Sequence, residues 1–218
     1  MDRASQDDTW LSSRADGTGP HPGTHVRLFA NDFLERLTRT SVQALVAVWV
    51  PLFSLALAAG LWMGRYSLLQ SLVIVAAGAL SWTLLEYLAH RFFFHLDRWL
   101  PWARPLTFLF HGCHHVDPQD ATRNVMPLLT TIPLFAAILA LLLLTFDRAL
   151  ALSLVGSAGL MYVAYDVTHY GCHQWQPRGR IGRYLKARHL FHHFRDDRAN
   201  FGVSSPLWDW VFGTLSQR

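Results

Sequence analysis

Long apolar stretches constrain the fold of this chain more than any other feature of its sequence. They cover residues 42–63, 68–88 and 126–165. A transmembrane α-helix needs about 20 apolar residues, so the third stretch is too long for one crossing, and Asp147 and Arg148 divide it near its middle. We therefore predict an all-α integral membrane protein with four spans, arranged as two hairpins over residues 42–63, 68–88, 127–146 and 149–168.

Histidines gather next to these predicted helices. Ten of the twelve histidines lie in four short clusters, each close to the end of an apolar stretch. Imidazole is the commonest metal-binding side chain, so the clusters are candidate ligand sets. The candidate metal ligands are His90, His95, His111, His114, His115, His169, His173, His189, His192 and His193.

Two of the clusters share the pattern HxxHH, beginning at His111 and at His189. Residues four apart share a helical face, so the first and last histidines of each unit are predicted to bind one ion. The middle histidines, His114 and His192, extend each unit beyond the face that its first and last histidines share. Each HxxHH unit is therefore predicted to supply ligands to two neighbouring ions.

The other two clusters are pairs of histidines. His169 and His173 are four apart, which places them on one helical face and predicts a shared ion. His90 and His95 are five apart, slightly off a common α-helical face. We therefore expect a distorted or terminating turn at residues 92–94.

Basic residues and histidines are predicted to lie on the same side of the membrane. With four crossings, both short turns lie opposite the N-terminus and every histidine cluster lies on the N-terminal side. Arg65 and Arg148 fall in the far turns, and the other seventeen of the nineteen lysines and arginines lie on the histidine side. The positive-inside rule then predicts a site that faces the cytoplasm. The expected location is a bacterial inner membrane, or the ER membrane if the chain is eukaryotic.

The first part of the chain differs from the rest in composition. Residues 1–40 are predicted to be a polar tail, disordered at first and amphipathic over 26–38, and residues 41–218 to be the membrane domain. His21 and His25 lie in the tail and are expected to be exposed and unrelated to the metal site. The region after the fourth span is expected to form short helices that cap the bundle at headgroup level.

Charge and cysteine content exclude other classes of function. The net charge of +4 resides almost wholly in arginines that flank the apolar stretches. They do not form a stripe on a soluble domain, so lipid headgroups are expected partners and nucleic acid is not. Cys113 and Cys172 lie within or beside histidine clusters, but ten imidazoles suffice for two metals. We expect neither cysteine to be a ligand.

The identity of the metals depends on the reaction. Nitrogen-rich sites suit zinc, copper, iron or nickel. Attack on an unactivated C–H bond needs O2 and a redox metal, and zinc has no redox chemistry. If the chain is an oxidase, two irons are expected to work in it, even where a purified sample holds zinc. Asp117 and Asp166 are candidate hydrogen-bond partners of the ligand imidazoles, and no catalytic residue is predicted beyond the ligands.

Four segments carry a specific combination of motifs: EYLAHRFFFH (86–95), HGCHHVDPQDATRNVMP (111–127), YDVTHY (165–170) and HLFHHFRDDRANFGVSSPLWDWVFGT (189–214). Together they resemble the fatty acid hydroxylase superfamily, which includes sterol desaturases. Within it the similarity is greatest to the fatty acid 2-hydroxylases that act on sphingolipid acyl chains. The similar region covers roughly residues 80–214.

The resemblance implies a four-helix membrane bundle whose cytosolic helical cap holds a dimetal histidine site. It also implies O2-dependent hydroxylation of a membrane lipid. All ten clustered histidines match the family's metal ligands, and residues 200–214 match a loop near the substrate entrance. Eukaryotic relatives carry an N-terminal cytochrome b5 domain where this chain has a short polar tail. Electrons are therefore expected from a separate cytochrome b5-like or ferredoxin-like protein.

The resulting hypothesis is a dimetal membrane hydroxylase, a non-haem di-iron monooxygenase that acts at C2 of the acyl chain of a fatty acid or sphingolipid. The alternative within the same class is a hydroxylase or desaturase of another lipid, such as a sterol, a carotenoid or a bacterial aminolipid. A non-catalytic metal-binding or transport protein is the alternative from another class. Transporters place ionisable ligands within their spans, whereas these histidines are predicted to lie beyond the span ends.

Overall fold

The computed structural model describes residues 25–216, and all regular secondary structure in that range is helical. Residues 1–24, which include His21 and most of the predicted tail, lie outside the described range. The α-helices are α1 (Asp32–Leu37), α2 (Val42–Gly64), α3 (Leu68–Leu88), α4 (Arg104–Thr107), α5 (Cys113–Val116), α6 (Leu128–Thr145), α7 (Arg148–Gln174), α8 (Arg180–Phe194) and α9 (Leu207–Val211). The predicted all-α class is confirmed.

Four of these helices are long and apolar enough to cross a membrane: α2, α3 with the turn that follows it, α6 and α7. The first three expose most of their apolar surface, since only 22%, 17% and 11% of their most apolar windows are buried. Leu68 and Leu144, for example, are 78% and 87% exposed. An apolar surface of this extent suits contact with lipid, and the predicted four spans are confirmed.

Local sequence signals set the ends of the long helices. The side chains of Ser41, Ser67 and Asp147 accept hydrogen bonds from first-turn amides of α2, α3 and α7. Such caps satisfy amides that have no partner within the helix. The short turns at residues 65–67 and 146–147 therefore join α2 to α3 and α6 to α7 as the two predicted hairpins.

Helix α7 lies at the centre of the bundle and packs against α2, α3 and α6. Small residues allow the close approach of α2 and α7: a Cβ atom on Gly156 would lie 2.5 Å from the backbone nitrogen of Leu57, and one on Gly60 would lie 2.4 Å from Ser153 Oγ. Small residues at helix contacts are typical of membrane bundles. Farther along, an aromatic cluster fills the core, built from Trp49, Phe53, Trp82, Phe135 and Tyr162.

Helix α7 is longer than predicted. It continues past residue 168 to Gln174, so His169 and His173 lie on its last turns rather than in the cap. The sequence gives no stop signal before that point, and the added turns are mostly buried by the cap. The central helix therefore carries two candidate ligands directly out of the bundle.

The cap consists of the segment between α3 and α6 together with α8 and α9. Its first part contains two π-helical turns, Ala89–Phe93 and Phe108–Gly112, and two 3-10 turns. Trp99 and Trp102 in this part are 62% and 74% exposed, and Trp210 of α9 is 71% exposed. Exposed tryptophans beside an apolar bundle suit the headgroup region of a membrane.

The segment that precedes α2 is packed against the cap. Only residues 32–37 of the predicted amphipathic stretch are helical, whereas residues 26–30 have no helical structure. His25 is exposed as predicted, and its Nδ1 lies 2.9 Å from the carboxylate of Asp117. The part of the chain assigned to the tail thus contacts the loop that follows the first HxxHH unit.

Candidate metal centre

The ten clustered histidines come together as two groups of five, and in each group one nitrogen per residue lies within 4.8 Å of all the others. We call them group A and group B. Group A comprises His90, His95, His111, His115 and His192. Group B comprises His114, His169, His173, His189 and His193.

Each HxxHH unit divides its histidines between the two groups. His111 and His115 contribute to group A and His114 to group B, whereas α8 contributes His192 to group A and its two other histidines to group B. The groups are adjacent, because the rings of His115 and His193 stack with centroids 4.0 Å apart. The helical spacing predicted this division of each unit.

A π-helical turn explains the five-residue spacing of the first pair. His90 lies in the π-helix Ala89–Phe93, and His95 follows it. A π-helix has hydrogen bonds between residues five apart, so this spacing returns to one face. The predicted distortion at residues 92–94 is therefore present. The second π-helix, Phe108–Gly112, contains His111 and passes directly into α5, which carries His114 and His115.

Within each group the Nε2 atoms face one another. In group A, the Nε2 atoms of His90 and His115 lie 3.1 Å and 2.8 Å from that of His111. In group B, the Nε2 atoms of His173 and His189 are 2.8 Å apart. Metal–imidazole bonds of about 2.1 Å at right angles would separate neighbouring nitrogens by about 3 Å. The spacing of the nitrogens therefore fits one metal ion in each group.

Main-chain carbonyls orient several of the rings. The Nδ1 atoms of His90, His192 and His169 donate hydrogen bonds to the carbonyls of Phe201, Ala199 and Asn124, over 2.6, 2.8 and 2.8 Å. A proton on Nδ1 leaves the Nε2 lone pair free to bind a metal. The Nε2 atom of His169 is buried and has no hydrogen-bond partner among the described residues, as expected of a nitrogen that binds a metal.

The two predicted carboxylates make other contacts. Asp117 contacts His25, and Asp166 accepts a hydrogen bond from the amide of Met126 over 3.2 Å. Within residues 25–216, neither carboxylate forms a hydrogen bond with a histidine of group A or B. Carbonyls take that role here, and their identity depends on tertiary folding rather than on residue type.

Burial keeps the cap histidines neutral. It is the main cause that lowers the pKa of His111, His114 and His115 well below that of free imidazole, and neighbouring imidazoles lower it further. Burial likewise lowers the pKa of His192 to about 4. Neutral imidazole is the form that binds metals, so the electrostatics of the cap favour metal binding near neutral pH.

Two carboxylates hold the turn at 199–204 in place. Glu86 accepts hydrogen bonds from the amides of Val203 and Ser204 over 2.7 and 2.9 Å. Asp209 accepts them from the amides of Phe201 and Gly202 over 2.8 and 2.9 Å. Both carboxylates are buried. In the sequence both lie near histidine clusters, inside the motifs EYLAHRFFFH and SSPLWDWVFGT, which makes them weaker candidates for partners of the ligands than Asp117 and Asp166.

Two cavities adjoin the histidines. One, with about 40 Å³ of free volume, touches both groups through His111, His114 and His169. The other is open, has a volume of about 470 Å³, and is lined by Arg91, Arg98, Trp99, Arg198 and Phe201. We call it the arginine cavity. The Phe201 ring in its wall lies 5.5 Å from the ring of His192 and 5.6 Å from that of His90.

The family model described as fatty acid hydroxylase matches residues 75–214, which include all ten histidines of the two groups. The chain is 43% identical to a dihydroceramide fatty acyl 2-hydroxylase of Arabidopsis thaliana, over 87% of this chain and 79% of the relative. It is 37% identical to a ceramide very long chain fatty acid hydroxylase of Schizosaccharomyces pombe, over 91% of this chain and 56% of the relative.

A solved structure has a similar fold. It is full-length scs7p, of which only the hydroxylase domain is visible, and it superposes with a TM-score of 0.80 at 35% identity. The match covers 87% of this chain and 71% of that one. The bundle, the cap and the region of the histidine groups are therefore features of a fold already seen in a lipid hydroxylase.

Proposed function

The chain belongs to the fatty acid hydroxylase family, and we propose that it places a hydroxyl group on C2 of the acyl chain of a fatty acid or sphingolipid. The observation that carries this proposal is the pair of adjacent five-histidine groups at one end of a lipid-facing bundle. Apolar helices that suit contact with lipid place the two groups within reach of acyl chains in a bilayer.

The ten histidines would hold two metal ions, five to each. Iron bound there supplies the redox chemistry that O2 requires, which zinc does not. Insertion of one oxygen atom into a C–H bond consumes one O2, two electrons and two protons, and the second oxygen leaves as water. We propose that a separate one-electron carrier protein supplies the two electrons.

The chain's own residues exclude water from the reaction. Eight of the ten histidines are buried, namely all except His115 and His193, which are half-buried. The narrow cavity beside both groups is lined in part by the apolar side chains of Phe94, Leu109 and Val125. Its free volume of about 40 Å³ suits a molecule of the size of O2 rather than a lipid chain. Limited access of water to the two groups protects a reactive oxidant from side reactions.

The arginine cavity is our proposed site for the polar end of the lipid. Hydroxylation at C2 requires the carbonyl carbon, one bond away, to lie close to the metals. The cavity meets this requirement because Phe201 separates it from group A by a single side chain. Guanidinium groups donate hydrogen bonds to carbonyl, hydroxyl or phosphate oxygens. Arg98 already pairs with Asp197 over 2.7 Å, so Arg91 and Arg198 are the residues of the cavity proposed to contact the lipid.

We further propose that the histidine side of the bundle is the cytoplasmic side. The distribution of arginines supports this orientation, because Arg65 and Arg148 are the basic residues at the opposite end of the bundle. A site at that surface is accessible to a soluble or membrane-anchored electron carrier. The orientation is tested with an impermeant thiol reagent and cysteines introduced one at a time at residues 66 and 178. In intact cells the reagent is expected to label the cysteine at residue 66 and not the one at residue 178.

Lipid mass spectrometry of a heterologous host tests the proposed reaction. Expression of the intact chain is expected to add one oxygen atom to acyl chains, with fragmentation that places it on C2. His192→Ala is expected to abolish the product, because it removes one ligand of group A. His21→Ala changes a histidine that is not among the ten clustered ones and is the matched control, which should keep full product formation.

The alternatives give different outcomes in the same experiment. A desaturase removes two hydrogen atoms from the chain, and a hydroxylase of a sterol or carotenoid leaves acyl chains unchanged while it oxidises the other lipid. Unaltered lipids in cells that contain folded, metal-loaded protein and a competent electron carrier would contradict the proposed function. That result would favour a non-catalytic metal-binding protein.

A further inference from the structure

The segment 26–40 and the loop 117–127 are joined by a network of charged side chains. The loop connects the first HxxHH unit to α6, and the segment precedes α2. The network links residues more than 80 positions apart. The family match begins at residue 75, so one half of the network lies outside the matched region.

Arg39 makes the first connection. Its guanidinium donates hydrogen bonds to the carboxylate of Asp120 over 2.6 Å and to the hydroxyl of Thr122 over 2.9 Å. It also contacts Glu35 on its own segment over 2.9 Å. Asp120 is buried and accepts further hydrogen bonds from the amide and hydroxyl of Thr122. The beginning of the loop is thus fixed to Arg39.

Glu35 makes the second connection. It lies 2.5 Å from the guanidinium of Arg123, and both side chains are almost fully buried, at 9% and 3% exposed. The other carboxylate oxygen of Glu35 accepts hydrogen bonds from the amides of Leu28 and Phe29 over 2.9 and 3.1 Å. A buried ion pair with this many partners has a fixed geometry. Arg123 is therefore held in place, and Asn124 follows it in the chain.

Asn124 contacts group B directly. Its carbonyl accepts the hydrogen bond from Nδ1 of His169 over 2.8 Å, and its side-chain nitrogen lies 3.3 Å from Nδ1 of His114. The side chain is fixed in turn, because it donates to the carbonyl of Pro118 over 3.0 Å and accepts from Gln174 over 2.8 Å. One residue thus sets the rotation of two imidazoles from different helices.

We propose that Glu35 and Arg39 are positioning residues of group B, which act through the loop 117–127 and Asn124 on the rings of His114 and His169. The proposal rests on the two-metal site of the proposed function. In group A, the carbonyls that accept hydrogen bonds from His90 and His192 belong instead to the turn at 199–204. Glu86 and Asp209 hold this turn in place. Loss of the network is therefore expected to affect one metal and spare the other.

Metal content of purified full-length protein tests the proposal. Wild-type protein loaded with Fe²⁺ without oxygen, or with Zn²⁺, is expected to hold two ions per chain. Arg39→Ala is expected to weaken one of the two by about 10-fold or more, the effect typical of lost outer contacts of metal ligands. After dialysis this variant should retain close to one ion, with unchanged helical content and membrane insertion. Arg39→Lys keeps the charge and should restore most of the second ion.

Arg27→Ala is the matched control. Arg27 lies on the same segment and pairs with the exposed Asp32, without contact to the loop. This variant should hold two ions with wild-type affinity. Two tightly held ions in Arg39→Ala, or equal loss of both, would overturn the proposal. Wild-type protein that binds no metal would instead contradict the metal site itself, so the two failures are distinguishable.

Discussion

The carboxylate of Asp209 accepts a hydrogen bond from the amide of Phe201 over 2.8 Å. The carbonyl of Phe201 in turn accepts one from Nδ1 of His90 over 2.6 Å. Arg188 donates to the second oxygen of Asp209 over 2.6 Å, and this ion pair is almost completely buried. A single carboxylate therefore connects a cationic residue of α8 to the orientation of a group A histidine.

Asp209→Asn is expected to destabilise the cap and weaken metal binding in group A. Asparagine has a similar shape but no charge, so Arg188 becomes an unpaired buried cation. Removal of one partner from a buried ion pair typically costs about 3–5 kcal/mol. Thermal unfolding in detergent measures the loss. Asp196→Asn, at an exposed carboxylate that caps a nearby amide, should change stability little. Equal melting temperatures for both variants would contradict the expectation.

Acid is expected to destabilise the metal-free protein. Burial lowers the pKa of His192 to about 4, whereas an unfolded chain has an ordinary imidazole near 6.5. Between these values the unfolded chain binds more protons than the folded one, so stability falls as the pH decreases. The contribution is fully present above about pH 6.5 and is lost progressively towards pH 4.

Melting temperatures of chelator-treated protein at about pH 7.5 and about pH 5 test this dependence. Metal-loaded protein should resist acid over a wider range, because bound metal competes with protons for the same nitrogens. His192→Ala should reduce the slope of stability against pH in the metal-free form. A flat profile for the metal-free wild type would show that these imidazoles are not desolvated.

Gly156→Ala is expected to disrupt the contact between α2 and α7. The added Cβ would lie 2.5 Å from the backbone nitrogen of Leu57, and backbone moves less readily than a side chain. Overpacking of this kind costs about 1–3 kcal/mol. Gly179→Ala is the control, since nothing lies within 4 Å of its added Cβ. Thermal unfolding of the two variants should differ clearly, and similar melting temperatures would contradict the close packing.

The double variant Arg91→Gln, Arg198→Gln is expected to raise the KM for the lipid with little effect on kcat. Both side chains line the arginine cavity and lie outside the two histidine groups. Lost hydrogen bonds from charged groups weaken binding by about 10-fold or more. Arg148→Gln, at the far end of the bundle, should keep the wild-type KM. A fall in kcat at constant KM would place the polar end of the lipid elsewhere.

Periodicity and composition predict the parts of this molecule that depend on local sequence. The bounds of α2, α3 and α6 agree with the apolar stretches, because lipid contact requires a long apolar helix and little else. The division of each HxxHH unit follows from the helical repeat alone. The five-residue spacing of His90 and His95 indicates a distorted or terminating turn, and the structure shows that this turn is π-helical.

Contacts between distant segments were not predictable in the same way. Asp117 and Asp166 have the right chemistry to orient imidazoles, yet the carbonyls of Ala199, Phe201 and Asn124 do so. Every residue has a carbonyl, so composition does not indicate which one will be used. The charged partners of segment 26–40 likewise lie 81 to 88 residues away, beyond the range of any local pattern.

The crosswise division of the histidines has a consequence for how the chain is held together. Group A draws on residues from three separate stretches of sequence and group B on three, and α5 and α8 serve both. Two ions bound in this way would act as cross-links between segments of the chain from position 90 to position 193. Both cysteines are free, so disulfides contribute nothing to this closure. Reductants that open disulfides would leave such cross-links intact, whereas a strong chelator would remove them and lower the stability of the cap.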